Sequence, residues 1–101
     1  MGAEESFEAL ATEQLAVPGV TRRSMFGRDT LLVDGHPYAF RDGERVTLKH
    51  PAAGELVAAG RGVVPVMGSR AMRGWVAVPL GSSSLSGLAE LAAAARGHLA
   101  S

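Results

Sequence analysis

Cysteine is absent from the 101 residues, which excludes disulfides, thiolate metal sites and cysteine nucleophiles. Aromatics are scarce: Phe7, Phe26, Phe40, Tyr38 and Trp75 make up the whole set, so the core must rest on Val, Leu, Ala and Met. No apolar run approaches the length that spans a membrane. The first residues, MGAEESFEAL, are acidic and polar where a signal peptide needs a basic start and an apolar stretch. A soluble, cytoplasmic protein is the expectation. Basic excess is lacking too: ten Lys and Arg balance ten Asp and Glu, unlike an ordinary nucleic-acid binder. The balance is uneven, however. Residues 1–19 carry Glu4, Glu5, Glu8 and Glu13 with no base, while every Lys and Arg lies beyond them. An acidic helix over a mildly basic sheet is the simplest arrangement of that split.

What is present is a succession of short strands. TRRSMFGR, TLLVDG, HPYAFRDG and ERVTLKH follow one another between Thr21 and Lys49, with Asp34-Gly35 and Asp42-Gly43 at the joints. Asp-Gly between apolar runs marks a tight hairpin, because a type I′ turn needs φ > 0 at both central residues. An antiparallel meander follows. Period-two spacing puts Tyr38, Phe40, Val46 and Leu48 on a covered face, with Arg41, Thr47 and Lys49 opposite.

Helical patterns flank the meander. Residues 4–16 place Phe7, Leu10, Ala11 and Leu15 on one stripe, and Pro18-Gly19 ends them. Pro51 suits the first turn of a second helix, which Gly60 caps. Residues 63–67 read as a fifth strand, with Pro65 marking an edge or bulge. A basic connection spans 68–74, and a sixth strand runs from Trp75 to Val78. Ser82, Ser83 or Ser84 caps a last helix whose apolar seam is Leu85, Leu88, Ala92, Ala95 and Leu99. The expectation is one α+β domain over residues 1–101. Its two layers are a mostly antiparallel sheet, a four-strand meander plus two further strands, and a cover of N-terminal, middle and C-terminal helices.

Candidate chemistry is thin. His36, His50 and His98 have no metal-ligand spacing, and His50 before Pro51 reads as a helix cap. The serines at 82–84 and 86 lack a nucleophile-elbow pattern, and the glycines assemble no phosphate loop. No catalytic, cofactor or metal site is expected. The arginines carry more weight: Arg22, Arg23 and Arg28 on the first strand, and Arg70 and Arg73 in the basic connection. Were they to share a side, they would form an anion-binding surface beside Trp75, which can stack on a base. The plainer account has them solvating the sheet, with Trp75 in the core.

The stretch Arg23-Ser24-Met25-Phe26-Gly27, then Leu31-Leu32-Val33-Asp34-Gly35, Tyr38-Ala39-Phe40 and Glu44-Arg45-Val46-Thr47-Leu48-Lys49, resembles the N-terminal domain of the TfoX competence-regulator family, and more distantly YjbR-like proteins. Gly60, the strand from Trp75 to Pro79 and the last helix fall where that family places its cap, final strand and closing helix. The resemblance implies an α+β domain of regulatory association with no catalytic residues to transfer. It also implies a chain without the separate C-terminal domain of the full regulators. The leading expectation is therefore a non-enzymatic regulatory module that binds an unidentified protein partner or itself, through the edge at residues 63–67 or the last helix. Nucleic-acid binding through the five arginines is the alternative. A small-ligand pocket near Met25, Met67 and Met72 is the third.

Overall fold

The computed structural model describes residues 2–100, the side chain of Ala100 excepted. The elements run α1 (Ala3–Leu15), β1 (Val20–Met25), β2 (Arg28–Val33), β3 (His36–Asp42), β4 (Arg45–Lys49), α2 (Ala53–Ala58), β5 (Val66–Met67), β6 (Arg70–Ala71), β7 (Trp75–Pro79) and α3 (Leu85–Ala100). Five strands form one antiparallel sheet in the order β1-β2-β3-β4-β7. The fold is α+β, with α1, α2 and α3 packed on that sheet.

Three hairpins build the meander, and their turns follow from backbone sterics. Phe26-Gly27 and Asp34-Gly35 both have positive φ at both central residues, the I′ pattern that matches strand twist. The first of these turns lies inside the stretch expected as one strand, so β1 ends at Met25. The third turn is displaced by one residue from its expected place. Asp42 stays in β3, and Gly43-Glu44 makes the reversal with only Gly43 at positive φ.

One face of the sheet carries Val20, Leu31, Val33, Val46, Leu48, Val76 and Val78 against Phe7, Leu10 and Ala11 of α1 and Leu88, Ala92 and Ala95 of α3. The seam expected on α3 is buried at Leu88, Ala92 and Ala95 and half-buried at Leu99, whereas its first member, Leu85, is exposed. Ser84 caps α3, its Oγ accepting from the Gly87 N–H at 3.1 Å. Gln14 lies inside the core and joins three elements: its Oε1 accepts from the Tyr38 hydroxyl at 2.7 Å and from Arg96 Nη1 at 2.6 Å.

Strict alternation fails at one place. The β2–β3 register jumps from Leu31↔Ala39 to Leu32↔Pro37, leaving Tyr38 as a bulged residue. Tyr38 and Ala39 both enter the helix-side core. Phe40, expected beside Tyr38, is therefore turned to the opposite face with Thr30 and Thr47, its cross-strand partners. Thr47 is buried there, whereas its polarity had placed it on an open face.

The segment after α2 also departs from the expected strand. Gly60 does take positive φ at the helix end, but α2 begins at Ala53, with Pro51 and Ala52 in the preceding turn. Val63 makes only an isolated bridge with Ala77 of β7. Pro65 then breaks the ladder, and β5 pairs with β6 in a separate two-stranded sheet. The basic connection is thus half of a small hairpin, which lies over the second face of the main sheet. Gly62 permits that path: a Cβ there would sit 2.6 Å from Val76 Cγ2 and 2.7 Å from the Ala77 carbonyl oxygen.

Candidate functional site

The pleat decides which candidate arginines meet. Arg22 and Arg23 are consecutive in β1, so their side chains leave on opposite faces. Arg22 goes to the helix side. Its Nε donates to Asp29 at 2.8 Å and its Nη1 to Glu8 at 3.0 Å, and the guanidinium lies 5.7 Å from the Phe7 ring centroid. Hydrogen bonds from Arg22 hold the Asp29 and Glu8 carboxyls below the usual carboxylate range, and the same bonds raise the guanidinium further. That side chain is committed to clamping α1 to the sheet.

Arg23 and Arg28 alternate to the other face, the one that the β5–β6 hairpin crosses. Arg28 Nε lies 3.4 Å from Asp42 Oδ1, and its guanidinium carbon stands 5.8 Å from the centroid of Phe40. Arg70 lies in β6 and Arg73 just before β7, both exposed. Trp75 is half-buried, its ring tilted against Phe40 at a centroid distance of 5.5 Å. Arg23, Arg28, Arg70, Arg73 and Trp75 thus belong to the hairpin side of the molecule, and Arg22 does not.

Between the sheet and the hairpin is a pocket of about 180 Å3, lined by Met25, Phe26, Arg28, Thr30, Pro37, Phe40, Met67, Met72 and Trp75. The methionines expected near a ligand pocket do meet there. The signal that sequence reasoning missed lies at its rim. Phe26 is 89% exposed, at the tip of a tight turn, with φ of 53°. The left-handed region is costly for a bulky side chain, and Asn or Gly is the ordinary occupant of such a turn. Met-Phe-Gly before a basic residue held that information, since Phe-Gly stands where Asn-Gly would be expected. Val63, Val64, Val66 and Met67 extend the exposed apolar surface along the hairpin.

Beside this surface, a wider open groove of about 490 Å3 separates the ends of two hairpins, lined by Phe26, Arg28, Asp29, Arg41 and Asp42 among others. Its charges alternate: Arg28 pairs with Asp42 and Asp29 with Arg22, while Arg41 Nε donates to the Gly43 carbonyl at 3.0 Å, so it presents no concentrated field. Among the described residues, no three His, Asp or Glu side chains gather where a metal ion could sit. No helix among them is long and apolar enough to cross a membrane. His50 does not cap α2, whose N-cap Ala52 has no side-chain cap bond; its Nδ1 instead accepts the Ala52 N–H at 2.9 Å in the turn before the helix. Comparison of the chain with protein-family models, with curated proteins and with solved structures finds no match.

Proposed function

We propose that this chain is a non-enzymatic binding module that docks a protein partner through its hairpin face, in a regulatory role of the kind the resemblance to TfoX N-terminal domains implies. The observation that carries the reading is Phe26. An aromatic ring held in the left-handed region and 89% exposed contributes little to the fold. Large apolar side chains presented in this way, beside further exposed valines, mark contact surfaces. Exposed Arg23, Arg70 and Arg73 on the same side select an acidic partner. Self-association through this face would bring those arginines together across the interface, so a different protein fits better than a second copy.

Site-specific photocrosslinking tests the proposal. A benzophenone side chain at position 26 should give one discrete adduct in the native cell extract, and the same group at Glu5, exposed on α1, should not. Equal labelling from both positions contradicts the reading.

The placement of Arg23, Arg28, Arg70 and Arg73 with Trp75 favours a second reading, weak binding of single-stranded nucleic acid by stacking and phosphate contacts. Trp75 emission should then respond to an oligonucleotide at low salt and lose that response steeply as salt rises. A flat titration at low salt removes this alternative.

A further inference from the structure

Building on the docking reading, we infer that the pocket between the main sheet and the β5–β6 hairpin receives one apolar side chain of the partner, a phenylalanine or leucine set between acidic residues. Volume sets the size of the occupant. At about 180 Å3 the pocket slightly exceeds the roughly 150 Å3 cavity that accepts benzene in another protein. It falls well short of the roughly 300–1,000 Å3 that small-molecule and cofactor sites occupy. One side chain fills it. A free molecule of that size has too few atoms to offset its lost freedom and binds only at about millimolar concentration. The same group carried by a partner adds to the contacts around it and becomes their anchor.

The walls set its polarity. Met25, Met67, Met72, Phe40 and Trp75 offer polarizable apolar surface that adapts to a ring or a branched chain. The two polar residues of the lining are engaged elsewhere. Thr30 Oγ1 donates to the Arg28 carbonyl at 3.1 Å. Arg28 Nε pairs with Asp42 Oδ1 at 3.4 Å, and both residues line the neighbouring open groove. Unpaired charge lies at the rim. Arg23 is the cross-strand partner of Thr30, Arg70 that of Met67, and Arg73 follows Met72. All three are exposed, and none takes part in an ion pair among the described residues. Three unspent cations around an apolar pocket select an apolar side chain with acids on either side of it.

Methionine-methyl NMR of the isolated protein tests this without the partner. The probe is the capped peptide Asp-Glu-Phe-Glu-Asp. The methyl signals of Met25, Met67 and Met72 should shift saturably as it is added up to about ten millimolar, where weak sites still fill. The same peptide with alanine for phenylalanine should bind about tenfold more weakly. The uncharged Asn-Gln-Phe-Gln-Asn should lose severalfold, and toluene, the free ring, should bind more weakly than the acidic phenylalanine peptide. Arg23→Gln with Arg70→Gln, both exposed positions, should erase most of the preference for acids. Silent methyls, or equal affinity for the phenylalanine and alanine peptides, overturn the inference. So does an acid preference absent from the wild type or unchanged in the double variant, and so does tighter binding of toluene, which assigns the pocket to a free neutral molecule. The photocrosslinking result stays separate. An adduct from position 26 with silent methyls keeps the docking face and removes the anchor; responsive methyls without an adduct uphold the pocket and remove Phe26 as the contact.

Discussion

Gln14 shows how one buried amide can hold a small domain together. Its oxygen is shared by Tyr38 of β3 and Arg96 of α3, while its amide nitrogen donates to Glu13 Oε2 at 2.8 Å. Burial of the phenol pushes the Tyr38 pKa up to about 12, the nearby Arg96 only partly opposing it. Gln14→Leu removes the acceptor and leaves a buried hydroxyl and a guanidinium short of a partner. It should cost about 1–3 kcal/mol in urea unfolding. Tyr38→Phe removes only one donor and should cost less. An order reversed between these two variants contradicts the shared-acceptor account.

The same scale explains why the candidate arginines were only half legible. Sequence places Arg22 and Arg23 side by side, and only the phase of β1 separates them. That phase is set by Val20 entering the helix-side core, so Arg22 follows it and meets Glu8 and Asp29. Nothing local in the sequence joins residues 8, 22 and 29. The clamp is a product of tertiary packing, and composition gave only its acidic and basic halves.

At the scale of elements, turn chemistry was the strongest signal and most of the meander follows from it. Where the structure differs, the cause is a backbone event that side-chain periodicity does not record. The bulge at Tyr38 inverts the face of Phe40. Pro65 diverts the expected fifth strand into a two-residue ladder over the sheet. Gly62 makes the preceding crossing possible, so Gly62→Ala should destabilise by about 1–3 kcal/mol as β7 gives way to the added methyl. Native-like stability of that variant in a urea melt would show that the crossing is looser than the geometry indicates.

The turn into α2 carries a pH dependence. Burial lowers the His50 pKa from its ordinary value, with His98 and Arg61 acting in the same direction and Glu55 against it. Protonation also removes the Nδ1 acceptor used by Ala52. A histidine with a depressed folded-state pKa binds its proton more readily when unfolded. Its contribution is therefore fully present above about pH 6.5, the unfolded value, and is lost as pH falls from there through the lowered folded value. Melting temperature should decline over that window in the wild type and decline less in His50→Asn, whose amide oxygen can accept the same N–H. Parallel profiles for the two proteins refute a role for His50.

At the scale of the whole molecule, α1 takes the four N-terminal glutamates to one side, and the hairpin face gathers Arg23, Arg28, Arg70 and Arg73 with the exposed Phe26, Val63, Val64, Val66 and Met67. One side closes the core and the other is left for contact. The account rests on Phe26 being retained for that contact at the expense of its turn. Urea unfolding of Phe26→Asn measures this directly. Asn tolerates the left-handed conformation at a type I′ turn, so the variant should be more stable than the wild type by about 1 kcal/mol. A variant less stable than the wild type would mean that the ring supports the fold, and the binding face would lose its main support.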